Sequence, residues 1–229
     1  MAVKISQITP EVFQIGGAGL TAAEDAAVYL VVVEGQAAMI DAGCGGSVDQ
    51  LLENAAACGA RTDDLHDLFL THCHFDHTGG ASELQRRLAL RVVMHALDAP
   101  FVETGDPEVT AAAWYGAALQ PFRPDHAIAG ASELFRIGGR GLEALHMPGH
   151  SPGSVVYLLE SAGRKVLFGQ DVHGPLHPAL RSDRQAYHHS LQQLIALEAD
   201  VLCEGHFGVI EGADRVRRFI QQYLRTRRS

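Results

Sequence analysis

Six consecutive residues, His72-Cys73-His74-Phe75-Asp76-His77, constrain this chain more than any other feature of its sequence. Three imidazoles and a carboxylate follow directly on the apolar stretch 67–71, which reads as a short buried strand. Groups this polar cannot enter a core unless each finds a partner. They must therefore converge on something at the strand's end. Imidazole nitrogen and carboxylate oxygen are the ligands favoured by zinc and other first-row metals. If the segment stays extended, alternation places His72, His74 and Asp76 on one side and turns Cys73 and Phe75 the other way. Cys73 then reads as a small buried hydrophobe rather than a ligand.

The remaining composition narrows the classes of function. With 229 residues and 47% hydrophobic content, the chain can bury a sizeable core, and residues 1–229 read as one domain. Eighteen basic against twenty-seven acidic residues leave a net charge of −9, which repels a nucleic-acid backbone. The longest apolar run, 26–33, is too short to cross a bilayer. Residues 1–10 lack the pattern of an export signal, so no membrane partner and a cytoplasmic location are expected. Arg215, Arg217, Arg218, Arg225, Arg227 and Arg228 cluster near the end, interleaved with apolar residues at helical spacing, and read as the solvated face of an amphipathic helix. Cys44, Cys58, Cys73 and Cys203 form no C-x-x-C pair, which argues against a disulfide framework or a thiolate zinc site.

Periodicity predicts strands at 5–8, 12–15, 26–33, 37–41, 67–71, 91–95, 134–137, 142–146, 155–159, 165–168 and 201–203. Residues 34–36 form the turn of a hairpin. Helices are predicted at 47–58 with Ser47 as N-cap, and at 82–90, 106–120, 186–197 and 212–225. The stretch 106–125 is either a lid or a surface segment, and core packing is the favoured reading of Trp114 and Tyr115. His188 and His189 read as surface residues at a helix start. Two blocks of strands, each followed by helices, imply sheets covered by helices on their outer faces, an α/β or α+β class.

Three later residues share the chemistry of the first cluster. His150 lies in the rigid turn Met147-Pro148-Gly149-His150-Ser151-Pro152-Gly153-Ser154, and Asp171 and His206 each follow a predicted strand. With His72, His74, Asp76 and His77 they make seven metal-type ligands.

These strings, T-H-C-H-F-D-H-T-G-G followed by P-G-H-S-P-G-S, F-G-Q-D and E-G-H, resemble the metallo-β-lactamase superfamily. The resemblance implies an αββα sandwich of two mixed sheets flanked by helices, with a dinuclear metal centre at the sheet mouths. It implies that His72, His74 and His150 hold one divalent ion, that Asp76, His77 and His206 hold the second, and that Asp171 bridges them. Asp41 matches an early aspartate of the family and is expected to support a ligand rather than bind metal. Zinc is the expected ion, with iron or manganese as alternatives. A hydroxide shared by the two ions would attack a small-molecule ester, lactone or thioester, with Asp76 and Asp171 as the catalytic carboxylates.

Departures from individual branches matter too. The cysteine that the best-known zinc lactamases carry at the Asp171 position is absent. His74 stands where flavin-linked di-iron members have glutamate. Lys4 and Lys165 are the only lysines, few for a glutathione-binding glyoxalase II, and Gly174 occupies the place of a lactonase tyrosine. His173 and His177 are weaker candidates for touching substrate. Competing readings are a mononuclear iron persulfide dioxygenase of the same fold and a non-catalytic metal-binding domain. Substrate identity and oligomeric state stay open.

Overall fold

A computed structural model of the chain describes residues 5–169 and 171–225. Lys4, Gln170, Arg227 and Arg228, and the side chain of Arg225, lie outside the described residues. The chain opens with β1 (Ser6–Thr9), β2 (Val12–Gln14), β3 (Tyr29–Val33) and β4 (Gln36–Ile40). After α1 (Val48–Ala57) come β5 (Leu65–Phe69), the short α2 (Phe75–Thr78), α3 (Ala81–Leu88), β6 (Arg91–His95), α4 (Ala99–Thr104) and β7 (His126–Ile128). The second half runs β8 (Ser132–Ile137), β9 (Arg140–His146), β10 (Val155–Ser161), β11 (Arg164–Phe168), α5 (Arg184–Ala196), β12 (Val201–Glu204), β13 (Gly208–Glu211) and α6 (Ala213–Arg225).

The first seven strands pair in sequence order, antiparallel from β1 to β4 and parallel from β4 to β7. The other six form a second sheet ordered β13-β12-β11-β10-β9-β8, whose one parallel pair is β11 with β12. Both sheets are mixed, with helices outside, so the architecture is the αββα sandwich.

Strand periodicity explains the layering. Tyr29, Val31 and Val33, Ala38 and Ile40, and Phe69 and Val93 point between the sheets, where they meet Tyr157, Leu159, Val166, Phe168, Val201 and Cys203 from the second sheet. The alternate residues Leu30, Met39, Leu68, Val92 and Met94 face outward onto Leu51 of α1 and Leu84 of α3. On the other side, Val156, Leu167 and Leu202 pack on Tyr187, Leu191 and Leu194 of α5 and Val216 and Ile220 of α6. Strands buried on both faces must be apolar at consecutive positions, which is why the runs look continuous in the sequence. The 34–36 turn resolves to two residues, Glu34 and Gly35, both at positive φ, the conformation that a type I′ hairpin turn requires. Arg215, Arg217 and Arg218 lie on the exposed side of α6. Among the described residues no helix is long and apolar enough to cross a membrane.

Four expectations are corrected. No helix spans 106–120: only a 3-10 turn at Ala112–Tyr115 forms, because Ala111 (φ 59°) and Gly116 (φ 62°) break the backbone on either side. Asp106 also turns its carboxylate onto the N–H groups of Glu108 and Val109 instead of starting a longer helix. Trp114 and Tyr115 are consequently 52% and 40% exposed, not packed in the core. Ser47 precedes α1 but makes no cap bond, its hydroxyl accepting instead from Ala22 N. Finally, the metal-type cluster does not stay extended: His74 is the last extended residue, and Asp76 and His77 sit on the turn of α2.

Candidate metal centre

The cluster forms where strand ends from both sheets meet. β5 stops at Phe69, Leu70 pairs with Val93 O, and Val155 N of β10 donates to Thr71 O, so residues 70–72 are clamped between the two sheets. Asp171 leaves the end of β11 and His206 the end of β12, neighbouring strands of the second sheet. His150 rides on the turn between β9 and β10.

Two four-residue groups of ligand atoms result, each mutually within 4.8 Å, His72, His74, His150 and Asp171, and Asp76, His77, Asp171 and His206, and a smaller third group joins Asp171, His173 and Glu204. Asp171 belongs to all three and is the one residue shared by the two larger groups. His72 Nε2 and His74 Nδ1 stand 2.9 Å apart. His77 Nε2 is 3.2 Å and His150 Nε2 3.5 Å from the Asp171 carboxylate, while His206 Nε2 lies 3.1 Å from Asp76 and 3.3 Å from Asp171. In the two larger groups all are buried except His206, which is partly open to solvent.

Outer bonds orient the rings. His77 Nδ1 donates to Asp41 Oδ2 at 2.7 Å, and His150 Nδ1 donates to Pro175 O at 2.9 Å. Carboxylate and carbonyl can only accept, so Nδ1 of each ring carries a proton and Nε2 is the nitrogen turned toward the cluster. Neither Nε2 makes a hydrogen bond. Asp41 also accepts from Thr71 N and Thr71 Oγ, and Thr71 Oγ is 3.0 Å from His72 Nδ1. Asp41 thus supports ligand-type residues without entering either group.

The electrostatics point the same way. Burial, reinforced by neighbouring imidazoles, holds His72 and His74 well below the usual histidine range, and burial lowers His150 as well. Burial opposes charge on His77 and His206 too, but the carboxylates of Asp171 and Asp76 outweigh it, lifting His77 well up and His206 to about 10. Burial pushes against ionisation of Asp171 and Asp76, yet His77 and His206 keep both carboxyls below the usual range. Two buried anions surrounded by imidazoles make a local field that favours cations, and the unbonded inward nitrogens fit divalent ions.

The weaker candidates fall around the rim. His173 Nδ1 donates to Glu204 Oε1 at 2.8 Å, and its ring lies 5.2 Å from that of His206. His177 is exposed, accepts from Ala179 N, and meets the Trp114 indole edge-on at 5.4 Å. His188 is half-buried on α5, beside a cavity, and His189 is exposed. Cys73 is fully buried and outside both groups.

Sequence reasoning missed three participants. Glu204, fully buried, accepts from His173 at one oxygen and from the N–H groups of His206 and Phe207 at the other, holding the His206 loop. The E-G-H string contained it, but nothing local distinguishes it from a solvated glutamate. Gly205 sits so close to the cluster that a Cβ would lie 2.2 Å from Asp171 Oδ1, so no side chain fits there. Tyr115 reaches across from the 3-10 turn, where burial and the neighbouring Asp76 carboxylate push its phenol up, and its ring lies 5.6 Å from that of Phe75.

The chain is similar to several known proteins. A hydroxyacylglutathione hydrolase from Anaeromyxobacter dehalogenans is 36% identical over 142 residues, 62% of this chain and 44% of that protein. The human acyl-coenzyme A thioesterase MBLAC2 is 32% identical over 174 residues, 67% of this chain and 60% of that protein. The chain thus spans between about two fifths and three fifths of the length of these relatives. Among solved structures, a metallo-β-lactamase mutant from Cronobacter sakazakii superposes with a TM-score of 0.79 at 22% identity, covering 97% of this chain and 94% of that one. GOB-18 from Elizabethkingia meningoseptica gives 0.77 at 22% identity, over 90% and 77%. These two establish the fold, and the family model that matches residues 23–206 spans the whole ligand cluster, so the chain belongs to the metallo-beta-lactamase superfamily.

Proposed function

We propose that this chain is a dinuclear, zinc-dependent hydrolase that cleaves an acyl thioester of a small molecule, with esters and lactones as chemical neighbours. The observation that carries the reading is the pair of ligand groups sharing Asp171. In this reading His72, His74 and His150 hold one ion, Asp76, His77 and His206 the other, and Asp171 both. Zinc suits a donor set of imidazoles and carboxylates, which would also accept iron or manganese. Two such ions would polarise a carbonyl and bring the pKa of water down to about 7.

The chain's own residues supply the rest. Asp76, beside His206 and the Tyr115 hydroxyl, is placed to accept and pass on a proton. Trp114 and His177 form an aromatic lip on which an acyl group can pack. A cavity of about 330 Å³ lined by Gln14, Gly17, Asp25 and His206, and a second of about 160 Å³ lined by His173, Arg184, His188 and Tyr223, support a substrate extending both ways from the scissile bond. Burial pushes the Cys73 and Cys203 thiols up, away from the thiolate a cysteine nucleophile needs. The thioester is favoured over other acyl bonds because the relatives above are named for acylglutathione and acyl-coenzyme A substrates.

Metal analysis combined with a panel of acyl thioesters, lactones, phosphodiesters and persulfides tests this. About two zincs per chain and thioester turnover without oxygen uptake are expected. One iron with oxygen consumption on a persulfide would replace the reading with a dioxygenase, and metal binding without turnover would leave a binding domain. Asp171→Ala should lower kcat/KM by at least about 100-fold and loosen metal, whereas Cys73→Ala should keep both. A fully active Asp171→Ala would remove the bridging role.

A further inference from the structure

A second buried carboxylate, Asp98, takes no part in the chemistry above. It precedes α4, where an aspartate ordinarily caps its own helix, yet it makes no side-chain cap bond. The carboxylate instead joins two distant segments. Oδ1 accepts from Gly153 N at 2.6 Å, and Oδ2 accepts from Ser151 Oγ at 2.6 Å and Cys73 N at 3.0 Å. Ser151 Oγ also pairs with Ser154 Oγ at 2.8 Å, and Asp98, Ser151 and Ser154 are all 0% exposed. A Cβ on Gly153 would lie 2.7 Å from Asp98 Cγ, so the turn closes on the carboxylate only because residue 153 is glycine.

The donors fall at telling positions. Cys73 lies between His72 and His74, and Ser151 follows His150. Every imidazole of the three-histidine group is therefore one residue from a donor to Asp98. The other group contains His77, which Asp41 holds directly.

We infer that Asp98 is the positioning residue of the three-imidazole metal group, fixing the 72–74 segment against the 150–153 turn through Cys73 N, Ser151 Oγ and Gly153 N. Charge-assisted bonds in a dry environment make such a tie short and directional. It sets ring separation without touching a ring. The inference rests on the proposed metal centre, and the test separates the two.

Asp98→Asn keeps the shape but replaces one acceptor oxygen with an NH₂ that faces donors. Zinc affinity of the full chain is measured by competition with a chromophoric chelator, in a His206→Ala background that leaves the three-imidazole group intact and in a His150→Ala background that does not. Asp98→Asn should weaken binding at least about tenfold in the first background and leave it unchanged in the second. Ser151→Ala, a smaller change, should act in the same direction by several-fold. Leu84→Ala, which opens the helix-side core but removes no bond to Asp98 and no ligand-type residue, should lower the Tm without altering zinc affinity. Parent-like affinity in Asp98→Asn and Ser151→Ala overturns the inference. So does equal weakening in both backgrounds, or a Leu84→Ala effect on zinc matching that of Asp98→Asn. A parent chain that binds no zinc instead overturns the metal centre beneath it.

Discussion

At Asp41 the backbone takes φ 63°, a left-handed conformation that aspartate and asparagine tolerate better than most residues. That corner follows β4 and swings the carboxylate onto three donors, Thr71 N, Thr71 Oγ and His77 Nδ1. Asn fits the same φ and volume but offers one acceptor oxygen, so Asp41→Asn separates the charge from the fold. With its amide facing the His77 Nδ1–H or abandoning Thr71, the ring loses its fixed orientation. We expect the protein to fold normally and to lose about 10–100-fold in zinc affinity, measured by chelator competition. Unchanged affinity would mean that packing alone orients His77. The sequence alone suggested this supporting role for Asp41 through the family resemblance, because the aspartate sits in Ile40-Asp41-Ala42-Gly43 after a strand. It offered no comparable pointer to Asp98 or Gly205, whose roles exist only in contacts between segments far apart in the chain.

At the scale of elements, legibility followed burial. Strands such as β6 and β10 were readable because both of their faces are covered, which makes them continuous apolar runs bounded by polar turns. The short edge strands β7 and β13 passed unnoticed: three or four residues carry too little periodicity. The alanine-rich 106–120 stretch was misread because propensity is a weak prior, and here Asp106 and two residues at positive φ override it. The consequence is functional, since an irregular segment at the mouth exposes Trp114 and Tyr115 where a helix would have buried one face. Trp114→Ala removes an exposed ring that leans on His177 and should leave the Tm within about a degree, as surface changes generally do. KM for a long-chain acyl thioester should rise several-fold while that for an acetyl thioester holds. Equal effects on both, or on neither, would detach the lip from acyl recognition.

Across the whole molecule, the two sheets are joined by the aromatic contacts of Phe69 with Phe135 and Tyr157 in the sandwich, and at one end by a stacked histidine pair. His95 closes β6 and His146 closes β9, one from each sheet, with parallel rings 3.8 Å apart. Burial, aided by the neighbouring His146, depresses His95 from the ordinary 6.5 to about 4. The folded state therefore resists a proton that the unfolded chain accepts readily. Above pH 6.5 neither state holds it and stability is unaffected by this group. Between about 6.5 and 4 the unfolded chain gains the proton first, so stability falls as the pH falls, and below about 4 this group adds no further loss. His95→Gln keeps an acceptor for Leu97 N, which His95 Nδ1 now serves, but cannot be charged. In metal-free protein, other buried imidazoles will also lower stability with acid, so the informative quantity is the difference between parent and variant. The parent Tm should fall more steeply than that of His95→Gln from pH 6.5 to 4.5, by a few degrees, since each kcal/mol moves a chain of this size by about 2–4 °C. Parallel melting curves across that range would show that the stacked pair takes up its proton as easily in the folded sandwich as in the open chain, and that the junction between the sheets is not sensitive to acid through His95.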